Sequence, residues 1–99
     1  MPIFVLMTKL TPELTARLRD RAKIGQQWKK AVDAKCPEVK WLAHYSLLGR
    51  YDFMDIYEAP DAETAAKVSL ITQAAGATQA ESWPAIPYTR FLEIAEQLD

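Results

Sequence analysis

The feature that most constrains this chain lies in its middle, where residues 39–58 form an apolar, alternating block interrupted once by Gly49-Arg50-Tyr51-Asp52. A two-residue period on both sides of a short Gly- and Asp-containing segment predicts a β-hairpin, with strands over Val39–Leu48 and Phe53–Glu58. The hairpin is flanked on both sides by a helical segment and one further strand. Ile3–Lys9 is rich in β-branched and aromatic residues and is followed by Thr11-Pro12-Glu13, a helix-start signature of Thr cap and Pro in the first turn. Leu14, Leu18, Trp28, Val32 and Cys36 then recur at helical spacing, although Arg21 and Gly25 fall in the same stripe. A break near Ile24-Gly25 is expected. Pro37 ends the helix, because it excludes the residue before it from the α region.

After the hairpin, Asp61 is placed to cap a second helix with Glu63 in its first turn, and Gly76 to end it. Ala77–Trp83 reads as the last strand. Phe91, Leu92, Ala95 and Leu98 are spaced for a short amphipathic C-terminal helix. The order is β-α-β-β-α-β plus a terminal helix, the split βαβ unit of a ferredoxin-like α+β sandwich. Two helices cover one sheet face, and a second subunit is the natural cover for the other.

Composition narrows the function classes. The chain has 99 residues, of which 49% are hydrophobic, which suits one domain with a two-layer core and favours homo-oligomerisation, most simply a homodimer. No apolar run approaches the ~20 residues of a membrane span, and no secretory leader is legible, so a cytoplasmic location without membrane association is expected. Cys36, the lone cysteine, has no partner for a disulfide or a thiolate metal site. At a helix C-terminus it is expected to be buried rather than reactive, since the dipole there disfavours a thiolate. Charge is segregated: residues 1–50 carry +6 and residues 51–99 carry −7. Arg17, Arg19, Arg21, Lys23, Lys29 and Lys30 share the first helix, but an equally acidic second half and the lack of aromatics interleaved with Lys and Arg argue against a nucleic-acid partner. The sequence assigns no cofactor and no metal.

Leu47-Leu48-Gly49-Arg50-Tyr51-Asp52-Phe53, followed by Glu58-Ala59-Pro60-Asp61, resembles the GYD-domain family, small proteins of bacteria and archaea named for a Gly, Tyr and Asp at this turn. Weaker agreement extends from the Phe4-Val5 strand to Thr89-Arg90-Phe91. The resemblance implies a subunit of the dimeric α+β barrel type and no known reaction or catalytic residue. Physically, Gly49 is suited to positive φ, and Asp52 to accepting backbone N–H bonds within the turn. Tyr51 is then the turn residue best suited to a pocket or a subunit contact.

With Leu48 paired to Phe53, Ser46 faces Asp55 and His44 faces Tyr57, and the strand period sorts the hairpin into two sets. Trp41, Ala43, Tyr45, Leu47, Met54 and Ile56 are apolar enough to lie beneath the helices. His44, Ser46, Leu48, Phe53, Asp55 and Tyr57 then form a polar and aromatic set on the open face, joined there by Phe4, Leu6 and Thr8 from the first strand. Gln79, Glu81 and Trp83 share a face whose side the pattern leaves open, and Trp83 suits a subunit anchor. His44 is the only histidine, with Asp55 diagonal to it at roughly 5 to 7 Å. Candidate ligand-binding residues are therefore His44, Ser46, Tyr51, Phe53, Asp55 and Tyr57, within a small-molecule-binding or regulatory module using the open sheet face. Two alternatives stand beside this. One is a cofactor-independent isomerase or monooxygenase acting through His44, Asp55 and Tyr57; the other is a purely structural oligomer whose interface encloses no cavity.

Overall fold

The computed structural model describes residues 1–99. The elements are β1 (Ile3–Leu10), α1 (Pro12–Ala16), a 3₁₀ turn (Leu18–Asp20), α2 (Arg21–Lys35), β2 (Lys40–Ser46), β3 (Phe53–Glu58), α3 (Ala62–Ala74), β4 (Ala77–Ala85) and α4 (Tyr88–Glu96). The four strands form an antiparallel sheet in the order β2-β3-β1-β4, which is the expected ferredoxin-like α+β architecture.

The chain's local signals act much as its composition directs. Thr11 caps α1 with Pro12 behind it, and the Asp61 carboxylate accepts from the Thr64 N–H at 2.8 Å to cap α3. Cys36 leaves the helical region ahead of Pro37, as a residue before proline must. Pro84 is tolerated inside β4 because that strand is an edge. The break in the first helix falls at Arg17–Asp20 and not at Ile24-Gly25, which lies within a continuous α2. There the Thr15 hydroxyl bonds back to the Thr11 and Pro12 carbonyls, and Arg17 leaves helical geometry and pairs with Asp20. Leu18 is consequently exposed at the turn instead of joining the stripe.

The core lies between α2, α3 and one sheet face. Val32 and Cys36 from the α2 end, with Ala65 and Val68 from α3, pack onto Phe4, Leu6, Tyr57 and Ala80 of the strands. Trp28 Nε1–H donates to Thr72 Oγ1 at 2.9 Å and ties α2 to α3. Cys36 is fully buried, and burial pushes its thiol pKa up, so it is an inert core residue.

This core overturns the expected assignment of faces. Phe4, Leu6, Thr8, Phe53, Asp55 and Tyr57 point under the helices, and Ile3, Val5, Met54, Ile56 and Trp83 point to the uncovered side. The strand period sorted most of these residues correctly, but it does not say which set is covered. The helix-facing polar groups are tolerated because they hydrogen-bond to one another or line a cavity.

The β2–β3 connection also differs from the expected four-residue turn. It spans residues 47–52, and pairing is shifted so that His44 faces Asp55 and Ser46 faces Phe53. An irregularity between Trp41 and Ala43 brings Trp41 opposite Tyr57, so Trp41 lies beneath the helices as expected while Met54 and Ile56 of the same expected set do not. In this longer loop Gly49 does not need positive φ; Gly76, behind α3, is the glycine that has it, at 115°. Asp52 Oδ2 accepts from the Leu10 N–H of β1 at 2.8 Å, outside the turn rather than within it.

The two glycines should respond differently to alanine. A Cβ on Gly76 would collide with Leu14 Cδ1 at a backbone angle L-residues resist, whereas one on Gly49 meets nothing within 4 Å. Gly76→Ala is expected to lower the unfolding free energy by more than ~1 kcal/mol, and Gly49→Ala to change it little, both read from urea denaturation midpoints.

Candidate functional site

Between α2 and the β2–β3 end of the sheet lies a cavity of about 780 Å³, within the usual range for small-molecule sites. Its strand-side wall includes His44, Ser46, Phe53 and Asp55, four of the six residues expected to form a site. Its helix-side wall comes from α2, including Arg21, Ile24, Gly25 and Trp28, with Trp41 closing the end beside Trp28.

The strand side is built around one pair. His44 and Asp55 are direct cross-strand partners, with His44 Nδ1 and Asp55 Oδ1 2.5 Å apart. The Asp55 side chain is 4% exposed, while that of His44 is 58% exposed. Burial raises the Asp55 pKa, and the neighbouring His44 offsets only part of that rise. Nδ1 is the ring nitrogen engaged by the carboxylate, and Nε2 makes no hydrogen bond within the protein. Phe53 stacks against the imidazole at 5.5 Å between centroids and holds the ring in place.

Tyr57 and Tyr51 lie elsewhere. Tyr57 is fully buried, its hydroxyl bonded to Ser82 Oγ at 2.8 Å, and Ser82 in turn contacts Ser69. Burial, above all, raises its phenol pKa. It pins β3 to β4 and α3 and does not border the cavity. Tyr51 crosses the opposite, uncovered face, where its hydroxyl donates to Glu81 at 2.9 Å and its ring meets Trp83 edge-on. That bond to Glu81 is the main cause of its raised pKa. Leu48, expected beside His44, is fully exposed in the loop.

Periodicity alone missed the α2 wall. The interruption of the apolar stripe by Arg21 and Gly25 was its signal, since both positions border the cavity where a continuous core would need large apolar side chains. No three His, Cys, Asp or Glu side chains converge closely enough to hold a metal ion. No helix is long and apolar enough to cross a membrane.

The GYD-domain family model matches residues 4–95, nearly the whole sheet, both covering helices and most of α4. This chain is a member of the GYD-domain family. The chain is also 31% identical over 91 residues, 88% of its own length and 90% of the relative's, to the glutamine synthetase and cystathionine beta-lyase binding protein of Thermus thermophilus. No solved structure matches it. In this GYD domain the loop residues Tyr51 and Asp52 serve different surfaces: Tyr51 packs on the open sheet face, and Asp52 anchors β1.

The buried carboxylate gives the domain a pH signature. Because the Asp55 pKa is raised in the native state, that state keeps a proton the unfolded chain has already released. Its contribution to stability is present below the unfolded carboxylate value, about 3.9, and is lost as pH rises through the native value. Asp55→Asn removes this dependence. Urea unfolding at stepped pH should show the variant gaining on the wild type across that window and a constant difference above it.

Proposed function

We propose that this GYD domain is a non-catalytic binding and regulatory module that docks protein on its open sheet face and holds a small ligand in the cavity beneath α2. The observation that carries the reading is the contrast between the two faces. The uncovered face displays Val5, Met54 and Ile56, with Tyr45 55% and Trp83 43% exposed, so it is an apolar surface with aromatic anchors. The opposite face is lined by the polar and aromatic set of His44, Ser46, Phe53 and Asp55 around a cavity. This reading sets the ligand beneath α2, whereas the strand pattern pointed to the open face.

A second copy of the chain is one occupant of the open face, giving a homodimer in which two sheets cover each other. A metabolic enzyme is another, supported by the name of the Thermus relative, a glutamine synthetase and cystathionine beta-lyase binding protein. Placing a carboxylate at the aromatic anchor tests both. Trp83→Glu is expected to retain the wild-type circular dichroism spectrum, to shift the molar mass measured by light scattering to that of a monomer, and to lose retention of those two enzymes on the immobilised domain. A wild-type monomer that retains neither enzyme would overturn the docking reading.

The hydrogen-bonded His44–Asp55 pair favours a second reading, a cofactor-independent isomerase or monooxygenase with His44 Nε2 as the proton-transfer group. Tyr57 has no part in it, since its hydroxyl is engaged by Ser82 away from the cavity. This reading predicts that His44→Ala abolishes consumption of a bound compound and leaves assembly unchanged. Compounds that bind and are recovered intact from the wild type would exclude it.

A further inference from the structure

The charges around the cavity are unevenly matched. Asp55 spends its charge within the wall, on His44, and Lys29, which also borders the cavity with its ammonium 5.8 Å from the centre of the Trp41 ring, is paired with Asp33 at 2.7 Å. Arg21 is left without a carboxylate: none of the ion pairs in the structure includes it. Its one hydrogen bond is a long one, from Nη2 to the Thr15 carbonyl at 3.3 Å, and its shielded Nε has no acceptor. The guanidinium carbon lies 5.8 Å from the centre of the Phe53 ring, and both residues line the cavity.

The position of Arg21 makes this lack of a partner more telling. It is the first residue of α2, whose N-cap Asp20 makes no capping hydrogen bond and pairs with Arg17, and the first turn holds no acidic side chain. A cation at this position adds to the positive end of the helix dipole instead of opposing it. Around this positive pole the wall is apolar: Ile24, Trp28, Trp41 and Phe53 line the same space. A planar guanidinium matches a carboxylate through two parallel hydrogen bonds, and the aromatic wall suits a flat or branched hydrocarbon body.

We infer that the ligand of this cavity is a small monocarboxylate with an aromatic or branched apolar body, its carboxylate held by Arg21 and its body lying against Trp28, Trp41 and Phe53. This rests on the small-ligand part of the function proposed above and gives that ligand its chemical class. His44, stacked on Phe53, borders the same space and offers Nε2 to a second polar group of the ligand.

Isothermal titration calorimetry with phenylacetate, 3-phenylpropionate, indole-3-acetate and 4-methylpentanoate, each beside its primary amide, tests the inference. At least one acid is expected to bind, with its amide weaker by about tenfold or more, the usual scale of a lost charge-assisted hydrogen-bond pair. Arg21→Gln should reduce the acid to the affinity of its amide. The substitution removes a cation from a helix N-terminus, so loss of folding is not its expected effect, and its circular dichroism spectrum checks this. Lys30→Gln, which removes an exposed charge from the same helix, should leave affinity unchanged. Equal binding of acid and amide, or an Arg21→Gln variant that binds the acid as the wild type does, would overturn the carboxylate assignment while leaving the cavity a ligand site. No binding by any acid or amide at millimolar concentration would overturn both.

Discussion

A four-stranded sheet has two faces, and this chain lays its long helices on only one of them. Everything else in the molecule follows from that imbalance. The helix-covered face gains its core from Val32, Cys36, Ala65 and Val68 closing over Phe4, Leu6 and Tyr57. The uncovered face keeps an apolar character that a solvated surface does not need, with Val5, Met54, Ile56 and Trp83 in one sheet layer. α4 does not resolve the imbalance, since Tyr88, Phe91 and Leu92 remain exposed. A chain of this size can fill one layer interface, and the second is left apolar and uncovered.

The covered side is itself incompletely filled. Toward α3 the helices seat small residues directly on the strands, with Ala65 and Val68 buried against the sheet. Near the β2–β3 end, Arg21 and Gly25 of α2 stand where a core would place large side chains, and the cavity remains between them and the sheet. Polar groups survive at this depth where they have partners: Asp55 has His44, and Tyr57 has Ser82. The Trp41 Nε1–H and the Arg21 Nε are the two shielded groups without one. The Arg21 guanidinium, without a carboxylate partner, gives this packing gap a positive pole.

The order of elements, the caps at Thr11 and Asp61 and the C-terminal glycine of α3 were legible in the sequence because each depends on a few adjacent residues. The membership of most strand faces was legible too, since alternation is a local property. Two things were not. The covered side could not be read, because Asp55, His44 and Tyr57 look like surface residues until their cross-strand partners are known. The register could not be read either, because a loop tied to β1 through Asp52 is indistinguishable from a tight turn in one dimension, and the irregularity after Trp41 has no composition of its own. The cavity itself was half visible: its strand residues were named, and its helix residues registered only as flaws in an apolar stripe.

The position of Asp52 shows why register matters so much here. Its backbone N–H donates to the Thr8 carbonyl at 2.8 Å and its carboxylate accepts from Leu10, so one residue extends the β3 pairing and holds the end of β1. Along β3, Phe53, Asp55 and Tyr57 serve the covered side, and Met54 and Ile56 serve the open one. A slip by one residue would exchange the two sets, placing Asp55 on the apolar face and Met54 against the cavity. A slip by two would keep the faces and separate Asp55 from His44, leaving a buried carboxylate without its partner. The loop that gives the family its name therefore acts on both surfaces at once: Asp52 locks the alignment that puts the His44–Asp55 pair in the cavity wall, while its neighbour Tyr51 reaches across the other side to Glu81 and Trp83.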